Sequence, residues 1–212
     1  MWFCGAGTSG YIGDILSAGL PNAEGIRFRS IPSTDLVSRA QYYLEHPPND
    51  LLIVNFGRSG NSSETVGTLR AIEVLAPSLP TLNITCNSNS AMAKSSIGQS
   101  ILPPDACHDA GFAMTSSFST MLLTALSIFD TDADARSHMR RLVKHAEAVL
   151  PLLESQICGL KASARAVFIV SGPMTFAARE CALKVLELSA GKIQALWDST
   201  LGFRHGPKSF IS

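Results

Sequence analysis

Charge is scarce in this chain of 212 residues, and it has no sign: Asp, Glu, Lys and Arg make up 16%, with 17 basic residues against 17 acidic ones. Without a surplus of Lys and Arg there is nothing to displace counterions from nucleic-acid phosphates, which excludes a generic nucleic-acid binder. Long hydrophobic runs are also missing. None reaches the ~18 apolar residues of a membrane span, so no membrane partner is expected. Met1-Trp2-Phe3-Cys4 lacks the basic start and the length of a secretory signal. Cysteine is sparse and unpatterned: Cys4, Cys86, Cys107, Cys158 and Cys181 are odd in number and form no Cys-x-x-Cys. That excludes a disulfide frame and a zinc site, and leads us to expect reduced, buried thiols in a cytoplasmic protein. Low-complexity segments and short repeats are absent as well. What remains is 46% hydrophobic, ample for a core. The length corresponds to one large domain or one and a fraction.

The chain alternates between strand-like and helix-like segments. Short apolar runs at 2–4, 26–31, 51–56 and 81–86 each give way to Gly, Ser, Pro or Asn, the pattern of buried parallel strands ending in loops. A fifth strand is expected at 100–102, where Pro103-Pro104 must stop it. Helices are expected at 11–20, 62–76, 91–98 and 115–129. Together these make a doubly wound α/β domain with a parallel five-stranded sheet over residues 1–130. After a polar break at 130–134 a helical pattern runs to about residue 164, interrupted at Pro151. A new strand at 166–170, a helix to about Ser189, and then 193–197 with Phe210-Ile211-Ser212 resemble the opening of a second domain over 131–212. Completing that domain would take roughly 70–100 further residues, so the expectation is a chain that stops inside it.

Two loops carry chemistry. Gly5-Ala6-Gly7-Thr8-Ser9-Gly10 follows the first strand and satisfies G-x-G-x-x-G, in which glycines admit close backbone approach and a helix N-terminus favours phosphate. No acidic residue ends the second strand for a ribose, although Arg29 stands where a 2′-phosphate would need a cation, which keeps a reductase reading open. Thr8 and Ser9 point instead to a phosphate or sugar held by hydroxyls. The second loop is Asn55-Phe56-Gly57-Arg58-Ser59-Gly60-Asn61-Ser62-Ser63-Glu64-Thr65. Its glycines allow a tight turn, Ser59 and Ser62 present hydroxyls, and the following helix offers free N–H groups, together a cradle for a phosphate monoester. No Walker lysine follows, which argues against a nucleoside triphosphate. Glu64 reads as a charge stabilising the helix N-terminus.

Glu180, Lys184 and Glu187 stand at i, i+4 and i+7, on one helix face. Such a trio is either a salt-bridged surface or a lysine holding a carboxylate ionised as a base. His205, beside Gly206-Pro207, is a candidate for moving protons near neutral pH. His108-Asp109, ahead of the long helix, reads as a cap or a pocket rim, and His138 and His145 read as exposed.

These segments, with Pro32–Ser38, the stretch 111–118 and Gly202–Ser209, resemble the sugar isomerase (SIS) domain family, and within it the amino-sugar-phosphate deaminase/isomerases. The resemblance implies a phosphate held by Thr8, Ser9, Ser59 and Ser62 around the Gly60 turn, with Arg58 contacting substrate. It implies Glu187 as the base moving a proton between C2 and C1, Lys184 near the substrate oxygens, Glu180 positioning it, and His205 opening the sugar ring. The implied reaction converts galactosamine 6-phosphate to tagatose 6-phosphate and ammonia, without metal or redox cofactor, in a homo-oligomer, most simply a dimer. Simple aldose–ketose isomerisation and non-catalytic sugar-phosphate sensing are the alternatives, the latter needing only the cradle.

Overall fold

β1 (Trp2–Gly5) is buried at every position, as a strand covered on both faces must be. The computed structural model describes residues 1–21, 25–160 and 163–210. In it β1 lies between β2 (Arg29–Pro32) and β3 (Ile53–Phe56), with β4 (Thr81–Ile84) and β5 (Gln99–Ile101) beyond. Every pairing is parallel and the order is β2-β1-β3-β4-β5. This is the doubly wound sheet the pattern predicts, and its order reverses between β1 and β3, where ligands bind in open α/β folds.

Alternation along such short strands feeds two cores. Phe3, Val54, Phe56 and Ile84 face Ile12 and Leu16 of α1 (Thr8–Gly19) and Met121 and Ala125 of α5 (Ser116–Phe129). Trp2, Cys4, Ile31 and Ile53 pack with Leu36 of α2 (Ser33–Ser38), Leu44 of α3 (Ala40–Leu44) and Ile72 of α4 (Ser63–Leu75). Burying each large side chain is worth about 1.5–3 kcal/mol relative to exposure.

Several expectations are corrected. β2 begins at Arg29, opposite Trp2, so 26–28 do not pair. Phe28 owes its apolar character to stacking on Phe3, with ring centroids 5.8 Å apart. Residues 91–98 form turns, not a helix. The Asn83 amide holds the Ile97 carbonyl at 2.8 Å, and Gly98 turns at φ 77° with its backbone against Thr81. α2 and α3, of 6 and 5 residues, are too short to carry a 3.6-residue period and were not expected.

The second half contains α6 (Ala135–Cys158), β6 (Arg165–Ile169), α7 (Thr175–Leu188) and β7 (Gln194–Asp198), with β6 and β7 paired in parallel. α6 continues through Pro151 instead of breaking there. None of its residues is buried, so the Glu147 carbonyl that loses its helical donor can turn to water. The helical pattern expected to about 164 ends at Cys158, and Ile211 and Ser212 lie outside the described residues. α7 docks on α1 through Ala178, Glu180 and Ala182. Arg179 ties the halves together: it pairs with Asp14 at 3.3 Å, and its guanidinium lies 4.3 Å from the Tyr11 ring centre and 5.5 Å from that of Trp197.

Only Cys4 and Cys86 are buried. Cys107 is half-buried, and Cys158 and Cys181 are exposed, because α6 lies open to solvent and Cys181 sits on the outer side of α7. Among the described residues no helix is long and apolar enough to cross a membrane.

Candidate active site

The turn after β3 is built before any ligand arrives. Gly60 adopts φ 61°, a left-handed conformation that favours glycine, and a side chain there would strike Ser90 and Thr85. The Asn87 amide holds the Ser59 carbonyl at 3.0 Å, and Asn61 Oδ1 accepts the Ala91 N–H at 2.7 Å. Ser62 caps α4: its Oγ accepts the Thr65 N–H at 3.3 Å and lies 3.0 Å from the Thr65 hydroxyl. Glu64 sits in the first turn of α4, as expected of a charge that stabilises a helix N-terminus.

This turn forms one wall of a cavity of about 230 Å³ at the β1/β3 reversal. Thr8, Ser9, Arg58, Ser59 and Ser62 line it, so both glycine-rich loops meet as predicted. Lys184 and Glu187 of α7 line it as well. Lys184 Nζ lies 2.7 Å from Glu187 Oε2 and 3.5 Å from Glu180 Oε1. The trio is salt-bridged, and its Lys184–Glu187 ion pair faces the cavity.

The expected site residues differ in how they stand to this cavity. Gly60 shapes the turn without lining the cavity. Glu180 lies behind it, 5% exposed, where its Oε1 accepts the Thr8 hydroxyl at 3.0 Å while its Oε2 has no hydrogen-bond partner. Burial pushes this carboxyl up, against opposing pulls from Lys184 and Thr8. Thr8 thus spends its hydroxyl on Glu180. Arg58 donates from Nη1 to the Asp109 carbonyl at 2.8 Å, which anchors its guanidinium at the rim. His205 stands exposed in the short helical turn Gly202–His205 and does not line this cavity.

Lining residues to which the sequence reading gave no role include Thr65, Phe112, Met114 and Ser117. Thr65 could have been found from its position three residues after the cap Ser62, and the other three fall in the 111–118 stretch already singled out. Arg29 is level with Trp2, at the start of the strands and away from the Gly5–Gly10 loop, with its guanidinium near the Trp2 ring. It cannot meet a phosphate held by that loop, and the dinucleotide reading loses its cation. Among the described residues no group of three or more His, Cys, Asp or Glu is placed to hold a metal ion.

D-galactosamine-6-phosphate deaminase AgaS of Escherichia coli is 41% identical over 214 residues, which take in 98% of this chain and 56% of the relative. The crystal structure of tagatose-6-phosphate ketose/aldose isomerase from Escherichia coli superposes with a TM-score of 0.87 at 41% identity, over 98% of this chain and 58% of that one. The chain has the fold of the sugar isomerase (SIS) proteins. A Shewanella relative, also named D-galactosamine-6-phosphate deaminase AgaS, is 40% identical over 217 residues, with 98% of this chain and 55% of its own length covered. Glucosamine-6-phosphate deaminase from Thermotoga maritima shares the SIS fold at 24% identity, with a TM-score of 0.79 over 98% of this chain and 63% of that one. No protein-family profile matches the sequence. The chain spans about half the length of the curated relatives it matches.

Proposed function

We propose that this chain carries the phosphosugar site of an amino-sugar-phosphate deaminase/isomerase that converts galactosamine 6-phosphate to tagatose 6-phosphate and ammonia. One observation carries the reading: a single cavity joins the Ser59–Thr65 turn to the Lys184–Glu187 ion pair. The first supplies hydroxyls and a helix N-terminus suited to a phosphate. The second supplies a carboxylate and a cation at the far end, where the reacting carbons would lie. On this reading residues 1–130 form the phosphosugar-binding unit and 131–212 bring the acid–base groups.

The chemistry follows from the ligand's structure. Ring opening exposes the C1 carbonyl, which acidifies the C2–H bond. Glu187 takes the C2 proton, and the electron pair forms the C1–C2 double bond while the C1 oxygen gains a proton. Reprotonation at C1 leaves a ketimine at C2, and water adds there to release ammonia and the ketose. Lys184 offsets negative charge on the C1 oxygen, and buried Glu180 fixes Lys184 from behind. The phosphate is a remote handle whose binding energy positions the carbons. His205, outside its own chain's cavity, would open the ring in the cavity of a second subunit, which makes the active form a homodimer. A neutral sugar-phosphate enzyme of this kind belongs in the cytoplasm.

Incubation with galactosamine 6-phosphate, with ammonia and ketose assayed separately, tests the reading. Equal yields of both are expected. Tight binding with neither product would favour a sensor, for which the position of His205 outside the cavity is the supporting observation. Interconversion of galactose 6-phosphate and tagatose 6-phosphate without ammonia release from the amino sugar would favour a simple isomerase.

A further inference from the structure

The cavity has a third wall that neither the phosphate cradle nor the acid–base pair explains. Phe112 lines it although the residue is 74% exposed, and Met114 lines it too. An aromatic ring so exposed contributes little to the fold. Its segment, however, is firmly held. Asp109 caps α5: its Oδ2 accepts the Ser117 N–H at 2.8 Å and the Ser117 hydroxyl at 2.9 Å. Partial burial pushes this carboxyl up, but the hydrogen bonds from Ser117 and Ser116 outweigh it and hold it below the usual carboxylate range. The same residue's carbonyl accepts from Arg58, which belongs to the phosphate turn. One strut therefore runs from the cradle through Arg58 and Asp109 to both ends of the segment that presents Phe112.

We propose that Phe112 is the specificity residue for the sugar body of the ligand, held over the cavity by the Arg58–Asp109–Ser117 strut while the Ser59–Thr65 turn binds the phosphate. The proposal rests on the phosphosugar reading of this cavity. A sugar chain has C–H faces as well as hydroxyls, and an aromatic ring at the mouth of a polar pocket covers such a face and excludes water from it. Asp109 touches no ligand and is a positioning residue.

The two ligand parts can be separated with inorganic phosphate, which needs the cradle alone, and galactitol 6-phosphate, which cannot turn over. Phe112→Ala should bind inorganic phosphate as the wild type does and galactitol 6-phosphate about tenfold more weakly, a loss on the scale of a partly buried aromatic ring. Phe112→Tyr should restore affinity. Asp109→Ala should show the same ligand-selective loss, and the double variant should lose no more than either single one, because both act through one ring. If Asp109→Ala does not fold, Asp109→Asn, which keeps an acceptor for Ser117, should bind both ligands like the wild type. Unchanged affinity of Phe112→Ala for galactitol 6-phosphate, or equal loss for both ligands, overturns the proposal. Failure of the phosphosugar reading looks different: Ser59→Ala with Ser62→Ala would then leave the binding of both ligands unaltered.

Discussion

Thr8 donates its hydroxyl to Glu180 Oε1 at 3.0 Å, joining residues 172 positions apart and linking the first turn of α1 to the middle of α7. Glu180 is buried and its other oxygen has no partner, so little else satisfies the carboxyl apart from Lys184 at 3.5 Å. Thr8→Val keeps the shape and removes the donor. It should lower stability by about 1–3 kcal/mol, the cost of leaving a buried polar group unpaired, while Thr8→Ser should recover most of the loss. Urea unfolding at pH 7 measures both. Equal midpoints for Thr8→Val and the wild type would show that the contact is incidental.

The same carboxyl gives stability a pH dependence of known sign. Burial raises its pKa above the ordinary 4.5, so the folded chain keeps this proton to higher pH than the unfolded chain does. Between the two values the folded state binds more protons, and stability falls as pH rises through that window. Glu180→Gln keeps an acceptor for Thr8 and removes the titration. Relative to the wild type it should gain stability as pH climbs from 4.5 through the folded pKa. Parallel stability curves for the two proteins from pH 4 to 8 would contradict this.

Much of this arrangement was legible in the sequence, for local reasons. A short apolar run followed by Gly57-Arg58-Ser59-Gly60 announces a strand, a tight turn and a helix start within a dozen residues, and that is what β3 and α4 are. The i, i+4, i+7 spacing put Glu180, Lys184 and Glu187 on one face with equal economy. What stayed hidden depends on register and on distant partners. Arg29 looked useful until the pairing with Trp2 set it at the wrong end of the strands. Thr8 looked like a ligand contact and Glu180 like a support for Lys184, and no spacing rule shows that they bond to each other. Phe112 lines the cavity from a segment closed by the Asp109–Ser117 contact, which spans eight residues and follows no periodicity.

The thiols report on the corrected burial. Cys4 lies in the core and its thiol is pushed up to about 12 by burial, and burial together with Cys107 and Asp109 pushes Cys86 up to about 11. Neither should react with a water-soluble disulfide reagent at pH 8 in the native chain. Cys158 and Cys181 are exposed and should react. Cys181 should be the slower of the two, since burial and the neighbouring Glu180 raise its pKa. Mass mapping of the first labelled sites checks the order. Early labelling of Cys4 or Cys86 would mean that the sheet opens on the time scale of the reaction.

Ser62 serves the fold and, on the proposed reading, the ligand as well, so its substitution should register twice. As the cap of α4 it accepts the Thr65 N–H at 3.3 Å, and Ser62→Ala should cost about 0.5–2 kcal/mol of stability. Among the described residues the Ser59 hydroxyl is hydrogen-bonded only by the nearby Asn61 N–H, at 3.4 Å, so Ser59→Ala should leave stability nearly unchanged. Both should weaken hexose 6-phosphate binding, since each hydrogen bond to a charged group is worth about 1.5–3 kcal/mol. Unphosphorylated sugars should be almost unaffected. If Ser59→Ala destabilises the chain as much as Ser62→Ala does, or if both sugar classes lose affinity alike, these serines support the turn and not a phosphate.

Glu187 offers the most direct test of the chemistry. It lines the cavity 2.7 Å from Lys184, and its side chain is 29% exposed. Glu187→Gln keeps shape and hydrogen bonding but removes the group that would accept the C2 proton. With galactosamine 6-phosphate as substrate, kcat should fall by roughly 10²–10⁴, the range for a lost general base. KM should change little, because on the proposed reading the phosphate is held by the Ser59–Thr65 turn and not by Glu187. Exchange of the C2 hydrogen with solvent deuterium should disappear in parallel, since it requires only the first proton transfer. Glu180→Gln should reduce kcat less, because Glu180 stands behind Lys184 and does not line the cavity. Exchange at the wild-type rate in Glu187→Gln would leave the ion pair as the whole role of this residue and move the base elsewhere in the cavity.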